Sequence, residues 1–583
     1  MKTILFLFAS LIAISNIAQE PFESNQTYTY DQLQLAYKAL TVKYPGQCKM
    51  TQFGKSDYGK NIQLFTISKT GSFRPDQFKN KTVLLINNAI HPGEPCGVDA
   101  CVKLSKDLLA NQSSLPENVV IGIIPMYNVG GAHNRTCCSR ANQNGPEEYG
   151  FRGNAKNLDL NRDFIKCDSK NTQTFYKIFH FLNPHIFVDT HTSDGADYQH
   201  TMTLITSQTD KMHPYLKKFT ESELNPHLYS KMSDSGYEMV PYVHSMKRTP
   251  EDGIKDYLET PRYSTGYTNL FNTISYVTEA HMLKTYEERV KSTYEFLDIM
   301  IKYMGENSDE IKDLKRKADY NVGQNEYYDL NWKLDTSKWD EIDFKGYAAE
   351  YKKSEVTGLD RLFYNHNKKW ESKIKYYNRF QVTDSVLRPE YYVIPQAWKD
   401  VVARLQMNGV GVYRLLQDQD VEVESYFIDN YSTGERPYEG HYLHKSIDLE
   451  KETTTITYKQ GDYVIPTRNE NARFIIETLE PNAPDSYFAW NFFDAILQQK
   501  EWFSGYVFEE KAIEMLNEDP GLKKEFEEKK KNDEAFSKDA FSQLYFIYKR
   551  SDNYERSHNR YPVSRRMDEF NQDEIEFAPT IFR

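Results

Sequence analysis

No stretch of the 583-residue chain approaches the ~20 consecutive apolar residues that a membrane-spanning helix requires, so no transmembrane segment is expected. Cysteine is scarce: Cys48, Cys96, Cys101, Cys137, Cys138 and Cys167 all lie in the first third of the chain. No two form a C-x-x-C pair, which excludes the usual thiolate zinc sites, and the count is low for a disulfide-built scaffold. Their spacing does not fix a pairing. No basic stripe is present and the net charge is -12, so there is no surface suited to neutralising a phosphate backbone, and no nucleic-acid partner is expected. The chain also lacks G-x-S-x-G and H-E-x-x-H, so neither a serine hydrolase nor a zincin-type metalloprotease is supported. Internal repeats and low-complexity tracts are absent.

The N-terminus carries more information. Met1-Lys2 precedes the apolar run ILFLFASLIAI at 4–14, and small and polar residues follow to about Ala18-Gln19. That order is expected of a secretory signal peptide at 1–19, with a secreted or periplasmic destination.

The rest of the chain is too long for one hydrophobic core. From 20 to 305, apolar runs at Val83–Ala89, Val119–Met126, His185–His191 and Ile274–Glu279 alternate with helical patterns such as Pro95–Ala110 and Thr172–Leu182. Buried strands alternating with helices predict an α/β domain, a mixed sheet flanked by helices, with ligands bound at the carboxyl ends of its strands. Residues 306–340, rich in Asp, Lys and Asn, are expected as a connector, so that a chain ending near 310 would keep a folded catalytic core. Alternating and β-branched runs predict a β-rich domain over 341–475, with a hairpin turn at Gln460-Gly461-Asp462. Residues 476–583 are expected to be mostly helical, one helix starting at Pro484-Asp485-Ser486.

Four constellations can carry chemistry. His91-Pro92-Gly93-Glu94-Pro95 sits between a strand and a helix, where an imidazole and a carboxylate can converge on one cation. His191 ends a buried strand in VDTHTSDGAD, and would complete a His2Glu set. Polar neighbours Asp189, Thr192, Ser193 and Asp194 are available to orient it. Arg152 and the Asn161-Arg162 pair lie in RGNAKNLDLNRD. A guanidinium beside an amide can grip a carboxylate, although an Arg here can equally be a surface residue paired to Asp159 or Asp163. Glu279 follows the apolar ISYV, where a carboxylate is costly unless used or paired.

In order and type, H-x-x-E, N-R, a strand-ending His and a strand-ending Glu resemble the carboxypeptidase A-like zinc metallocarboxypeptidases. The segments GFRGNAKNLDLNRDF and PRYSTGY…SYVTEAHMLK are similar to a Bacteroidetes-type branch with long C-terminal extensions. The likeness covers about 30–305. It implies one zinc ion per chain held by His91, Glu94 and His191. It implies a peptide substrate whose free C-terminal carboxylate is bound by Asn161 and Arg162. Arg152 is the best match for the residue that polarises the scissile carbonyl, and Glu279 for the general base, with Glu259 in LETP a competing candidate. The tyrosine that closes over substrate corresponds to Tyr263 or Tyr267.

Two other readings compete. A same-fold zinc amidohydrolase or deacylase would share the metal set, but members of that group follow Asn-Arg with Phe-Pro-Gly, where this chain has Asp163-Phe164-Ile165. A non-catalytic peptide- or polymer-binding protein is opposed by the retention of every expected site residue.

Overall fold

The computed structural model describes residues 19–111 and 113–581; the expected signal peptide lies almost wholly outside the described residues. Its centre is an eight-stranded mixed sheet in the order β1-β2-β4-β3-β5-β10-β6-β7. The strands are β1 (Cys48–Lys55), β2 (Asn61–Ile67), β3 (Thr82–Asn88), β4 (Val119–Ile124), β5 (Ile186–Ser193), β6 (Met202–Thr206), β7 (Val240–Pro241) and β10 (Ile274–His281). β4, β3, β5 and β10 run parallel to their neighbours in this group. Every residue of β3, β4 and β5 is buried, which is why these strands read as continuous apolar runs rather than alternating ones. Helices flank the sheet, among them Cys96–Ala110, Lys170–Leu182 and Tyr286–Glu306. Gly97 permits one close approach: a Cβ there would lie 2.0 Å from Thr190 Oγ1 of β5, so the helix after β3 can seat tightly on the sheet only without a side chain.

The remaining strands form three further sheets. The hairpin β12 (Asp340–Lys353) and β13 (Asp360–Tyr377) is extended by β9 (Ile254–Lys255) and β8 (His244–Ser245). β11 (Tyr327–Leu334) pairs with β14 (Phe380–Leu387). A seven-stranded sheet runs β18-β17-β20-β15-β19-β16-β21. Its members are β15 (Tyr391–Ile394), β16 (Tyr413–Leu415), β17 (Gln419–Thr433), β18 (His444–Tyr458), β19 (Tyr463–Pro466), β20 (Ser564–Arg566) and β21 (Ile575–Phe577).

Several expectations need correction. Residues 306–340 are not a connector: Ser308–Val322 is a helix, and β11 follows it. Its charged outer face hides an apolar stripe of Ile311, Ala318 and Val322, all buried, with Leu314 packed beside them. The strands either side of Gln460-Gly461-Asp462 do not form a hairpin; β18 pairs with β17, while β19 pairs with β15 and β16. The region 341–475 also contains the helix Lys399–Met407. Four helices between Gly505 and Tyr548 fill much of the last segment, but β20 and β21 return from it to the seven-stranded sheet. Asp485 caps no helix; its carboxylate pairs with Arg262 at 2.7 Å.

The expected boundary near 305 is crossed by backbone hydrogen bonding. β13 pairs with β9 through Tyr376↔Ile254 and Tyr377↔Lys255, and Tyr198 bridges Gly346. One continuous apolar core runs from Tyr30 to Ala578. Truncation near residue 310 would therefore expose β9 and apolar side chains that pack against the C-terminal half, such as Phe271 against Phe474, to water. Such a truncated chain should lose cooperative thermal unfolding and enter the insoluble fraction. A soluble fragment with a sharp calorimetric transition would overturn this.

Candidate metal centre and cleft

The order β3-β5-β10 brings three strand ends together at one edge. The loop after β3 carries His91 and Glu94, β5 carries His191 two residues before its end, and β10 carries Glu279 directly opposite His191 in the parallel register. Parallel strands aim their carboxyl ends the same way, so the four residues meet without any long excursion of the chain.

His91, Glu94 and His191 are buried, and one potential ligand atom from each lies within 4.8 Å of the others. His91 Nδ1 is 3.1 Å from Glu94 Oε1, and His191 Nδ1 is 3.0 Å from Glu94 Oε2. The far nitrogen of each ring faces a second carboxylate: His91 Nε2 lies 2.9 Å from Asp159 Oδ1, and His191 Nε2 lies 3.1 Å from Asp189 Oδ2. This carboxylate–histidine pairing orients rings and raises their basicity at metal sites. Glu94 also accepts from Thr192 N at 2.9 Å and faces Arg140 Nη1 at 2.9 Å.

The donor set suits zinc. Two imidazoles and one carboxylate leave a fourth tetrahedral position open. His91 Nδ1 is buried beside Glu94 without hydrogen-bonding to it, which leaves it available as a metal donor. Electrostatics point the same way. Burial opposes ionisation of Glu94, yet the nearby His91 and Arg140 and the hydrogen bond with His191 hold its carboxyl well below the usual range. Burial also opposes charge on His191, but Asp189 and Glu94 push its imidazole well above its ordinary value. The cluster thus demands positive charge at its centre, which protons or a cation can supply.

Glu279 lines the same cavity. Burial, and after it the neighbouring carboxylates Glu94, Asp194 and Asp189, acting against His191, push its carboxyl up to about 8. Glu259, the competing candidate, is elsewhere. It is buried away from the cleft, its Oε1 accepting from Gln208 N at 2.8 Å, and burial pushes it up to about 7.

Asn161 and Arg162 lie in a short 3-10 turn after Asp159. The Asn161 Oδ1 accepts from Ser264 N at 3.1 Å. Arg162 donates from Nε to Tyr438 Oη at 3.0 Å and from Nη1 to the Asn161 carbonyl at 2.8 Å, with its guanidinium 4.5 Å over the Tyr263 ring. Among the described residues neither Arg162 Nη2 nor Asn161 Nδ2 has a protein acceptor, and both residues line the cavity. Arg152 donates from Nε to Asp159 Oδ2 at 2.9 Å and approaches Glu94 to 3.6 Å. Burial works against the charge on Asp159, but His91, Arg152 and Arg162 hold its carboxyl well below the usual range.

Of the two tyrosines, only Tyr263 reaches the cleft. Tyr267 is fully buried, stacked on Tyr176 at 5.0 Å and hydrogen-bonded to Asn408 at 2.5 Å. The helix Ser264–Asn269 starts between them, and its first turn sends the second ring into the core. Sequence reasoning missed Arg140, Tyr242 and Tyr257, which also line the cavity. Arg140 belongs to the loop that holds the Cys137–Cys138 disulfide; the other four cysteines are free and buried. No local spacing ties that loop to Glu94, so only folding reveals the contact.

Residues 36–304 match the family model described as zinc carboxypeptidase. Carboxypeptidase 2 of Trichophyton rubrum is 22% identical over 456 residues, covering 74% of this chain and 78% of that protein. Carboxypeptidase D of Drosophila melanogaster is 30% identical over 155 residues, 25% of this chain and 10% of that one. Among solved structures, a metallo-carboxypeptidase from Pseudomonas aeruginosa gives a TM-score of 0.36 at 14% identity, covering 49% of this chain and 70% of that chain. Among the described residues, no helix is long and apolar enough to cross a membrane.

Purified protein should hold about one zinc ion per chain, as a three-ligand site does. His91→Ala and His191→Ala should each lower occupancy to a small fraction of that. Because protons compete for the His191 imidazole, zinc affinity should fall as pH drops, and binding should release protons. Metal analysis with proton-release calorimetry checks both. Full occupancy in both variants would falsify the site.

Proposed function

We propose, from the match of residues 36–304 to the zinc carboxypeptidase family model, that the cleft hydrolyses the last peptide bond of a substrate chain, with Glu279 as general base and Asn161-Arg162 as the grip on the terminal carboxylate. The protein is a zinc-dependent peptide hydrolase. The residue roles rest on one observation above all. Glu279 and the free donors of Asn161 and Arg162 line a single cavity of about 300 Å3 together with His91, Glu94 and His191.

His91, Glu94 and His191 would hold the ion, their rings steadied by Asp159 and Asp189. When bound, zinc supplies Lewis acidity, polarising the scissile carbonyl and making water a competent nucleophile near neutral pH. The substrate carboxylate meets Arg162 Nη2 and Asn161 Nδ2. A fixed guanidinium fork beside an amide sets the chain end, so only the terminal peptide bond reaches Glu279. Glu279 takes a proton from the attacking water and returns it to the leaving amine. Arg152, with one guanidinium nitrogen on Asp159 and another near Glu94, faces the developing oxyanion. One such preorganised donor is worth roughly 3–4 kcal/mol in the transition state. Ile205 and Val277, cross-strand partners that line the cleft with Thr265, favour an uncharged side chain on the departing residue. Export belongs to the same reading: the basic start and apolar run at 4–14 support cleavage near residue 19, which the mass of the mature chain tests.

The central experiment replaces each candidate base. Glu279→Gln keeps size and hydrogen bonding but removes basicity, and Glu279 is not among the proposed zinc ligands. Zinc content should therefore stay near wild type while kcat falls about 10²–10⁴-fold, the usual cost of losing a general base, with KM little changed. Glu259→Gln should keep most activity. Measured on one peptide with a free C-terminus, an active Glu279→Gln beside an inactive Glu259→Gln would reverse the assignment.

A further inference from the structure

Arg162 and Asp159 are each held by a residue from beyond position 430. The tip of the β17–β18 hairpin crosses to the cleft, and there Tyr438 Oη accepts from Arg162 Nε at 3.0 Å while Glu439 Oε2 accepts from Asp159 N at 2.7 Å. We infer that this tip is the outer wall of the carboxylate subsite, with Tyr438 a positioning residue for Arg162 and Glu439 for the Asp159 segment.

The geometry of the guanidinium carries the argument. It is planar, so anchoring Nε fixes the whole plane. Tyr438 holds Nε, the Asn161 carbonyl holds Nη1, and Tyr263 supports one face at 4.5 Å. Nη2, which has no protein acceptor among the described residues, is left to meet an incoming carboxylate. Remove the Tyr438 hydroxyl and the fork can swing about the remaining bond.

Tyr438 is itself braced. Its ring stacks on Trp490 at 6.1 Å with planes 18° apart, and the Arg262 guanidinium lies 5.7 Å from one ring centroid and 5.1 Å from the other. Asp485 pins Arg262 at 2.7 Å. On the far side of the turn His441 Nε2 meets Asp168 Oδ2 at 2.7 Å.

The turn has an unusual residue at its apex. Tyr438 and His441 exchange backbone hydrogen bonds of 2.7 and 3.1 Å, and between them Glu439 has φ 51° and Gly440 φ 85°. Two left-handed residues in a tight turn normally call for Asn-Gly. A glutamate there is locally disfavoured, and what it gains is the contact with Asp159, the residue that also steadies His91.

The inference rests on the carboxylate-clamp reading proposed above, and the test separates the two. Full-length Tyr438→Phe, Glu439→Ala, Glu439→Gln and Arg162→Ala would be assayed for KM and kcat on a peptide with a free C-terminus. Inhibition by an N-acyl amino acid and by its carboxamide would be measured alongside, with zinc content and thermal midpoint as controls. Tyr438→Phe should raise KM and the inhibition constant of the free acid about tenfold, the lower end for losing a hydrogen bond to a charged group. It should leave carboxamide inhibition, kcat and zinc content near wild type. Glu439→Ala should weaken the acid in the same selective way, and Glu439→Gln, which keeps an acceptor, should restore it. If Arg162→Ala abolishes the preference for acid over amide while Tyr438→Phe and Glu439→Ala keep it, the tip plays no part and the inference fails. If Arg162→Ala also keeps that preference, the clamp reading fails first.

Discussion

The buried carboxylate of Glu94 is the constraint around which the cleft is organised. It touches both histidines and Arg140 and accepts from the backbone of Thr192. A carboxylate taken out of water must be matched by positive charge and hydrogen bonds, or it will not stay ionised. The matching groups come from distant parts of the chain: a strand-to-helix loop, the end of β5 and the disulfide-bearing loop at 137–140. Each therefore has its position set by the same few cubic ångströms. Asp159 and Asp189 extend the pattern outward, so each histidine faces a carboxylate at both ring nitrogens.

What the sequence made legible follows from this. Buried parallel strands announce themselves as apolar runs, and a polar residue at the end of such a run is conspicuous. His191 and Glu279 were found that way, and His91 and Glu94 in the loop that follows β3. The flanking α/β layer was legible for the same reason. Tyr263 and Tyr267 could not be told apart because four residues is about one helical turn; the start of the helix at Ser264 decides which ring turns inward. Arg140 carries no signal at all, since a loop arginine looks the same whether it faces water or a buried glutamate.

The C-terminal half was harder to read. Its helix at Ser308–Val322 shows a charged surface in composition and reveals its apolar stripe only at helical spacing. Its strands were recognisable by type but not by partner. β19 pairs with β15 and β16 rather than with the strand just before it, because sheet order is settled by packing across long sequence separations and not by the nearest turn. Pairing of β13 with β9 likewise joins segments that composition had assigned to different units.

The hydrogen bond from Arg162 to Tyr438 spans 276 residues of sequence, and that from Asp159 to Glu439 spans 280. Closing loops of that length is slow, and such contacts form only after the elements they join have folded. During synthesis the ribosome must release nearly three quarters of the polypeptide before either residue of the tip exists. Because β20 and β21, which complete the seven-stranded sheet, are made later still, the cleft gains its outer wall only when the C-terminal half folds onto the central sheet, and mature selectivity is a property of the finished chain.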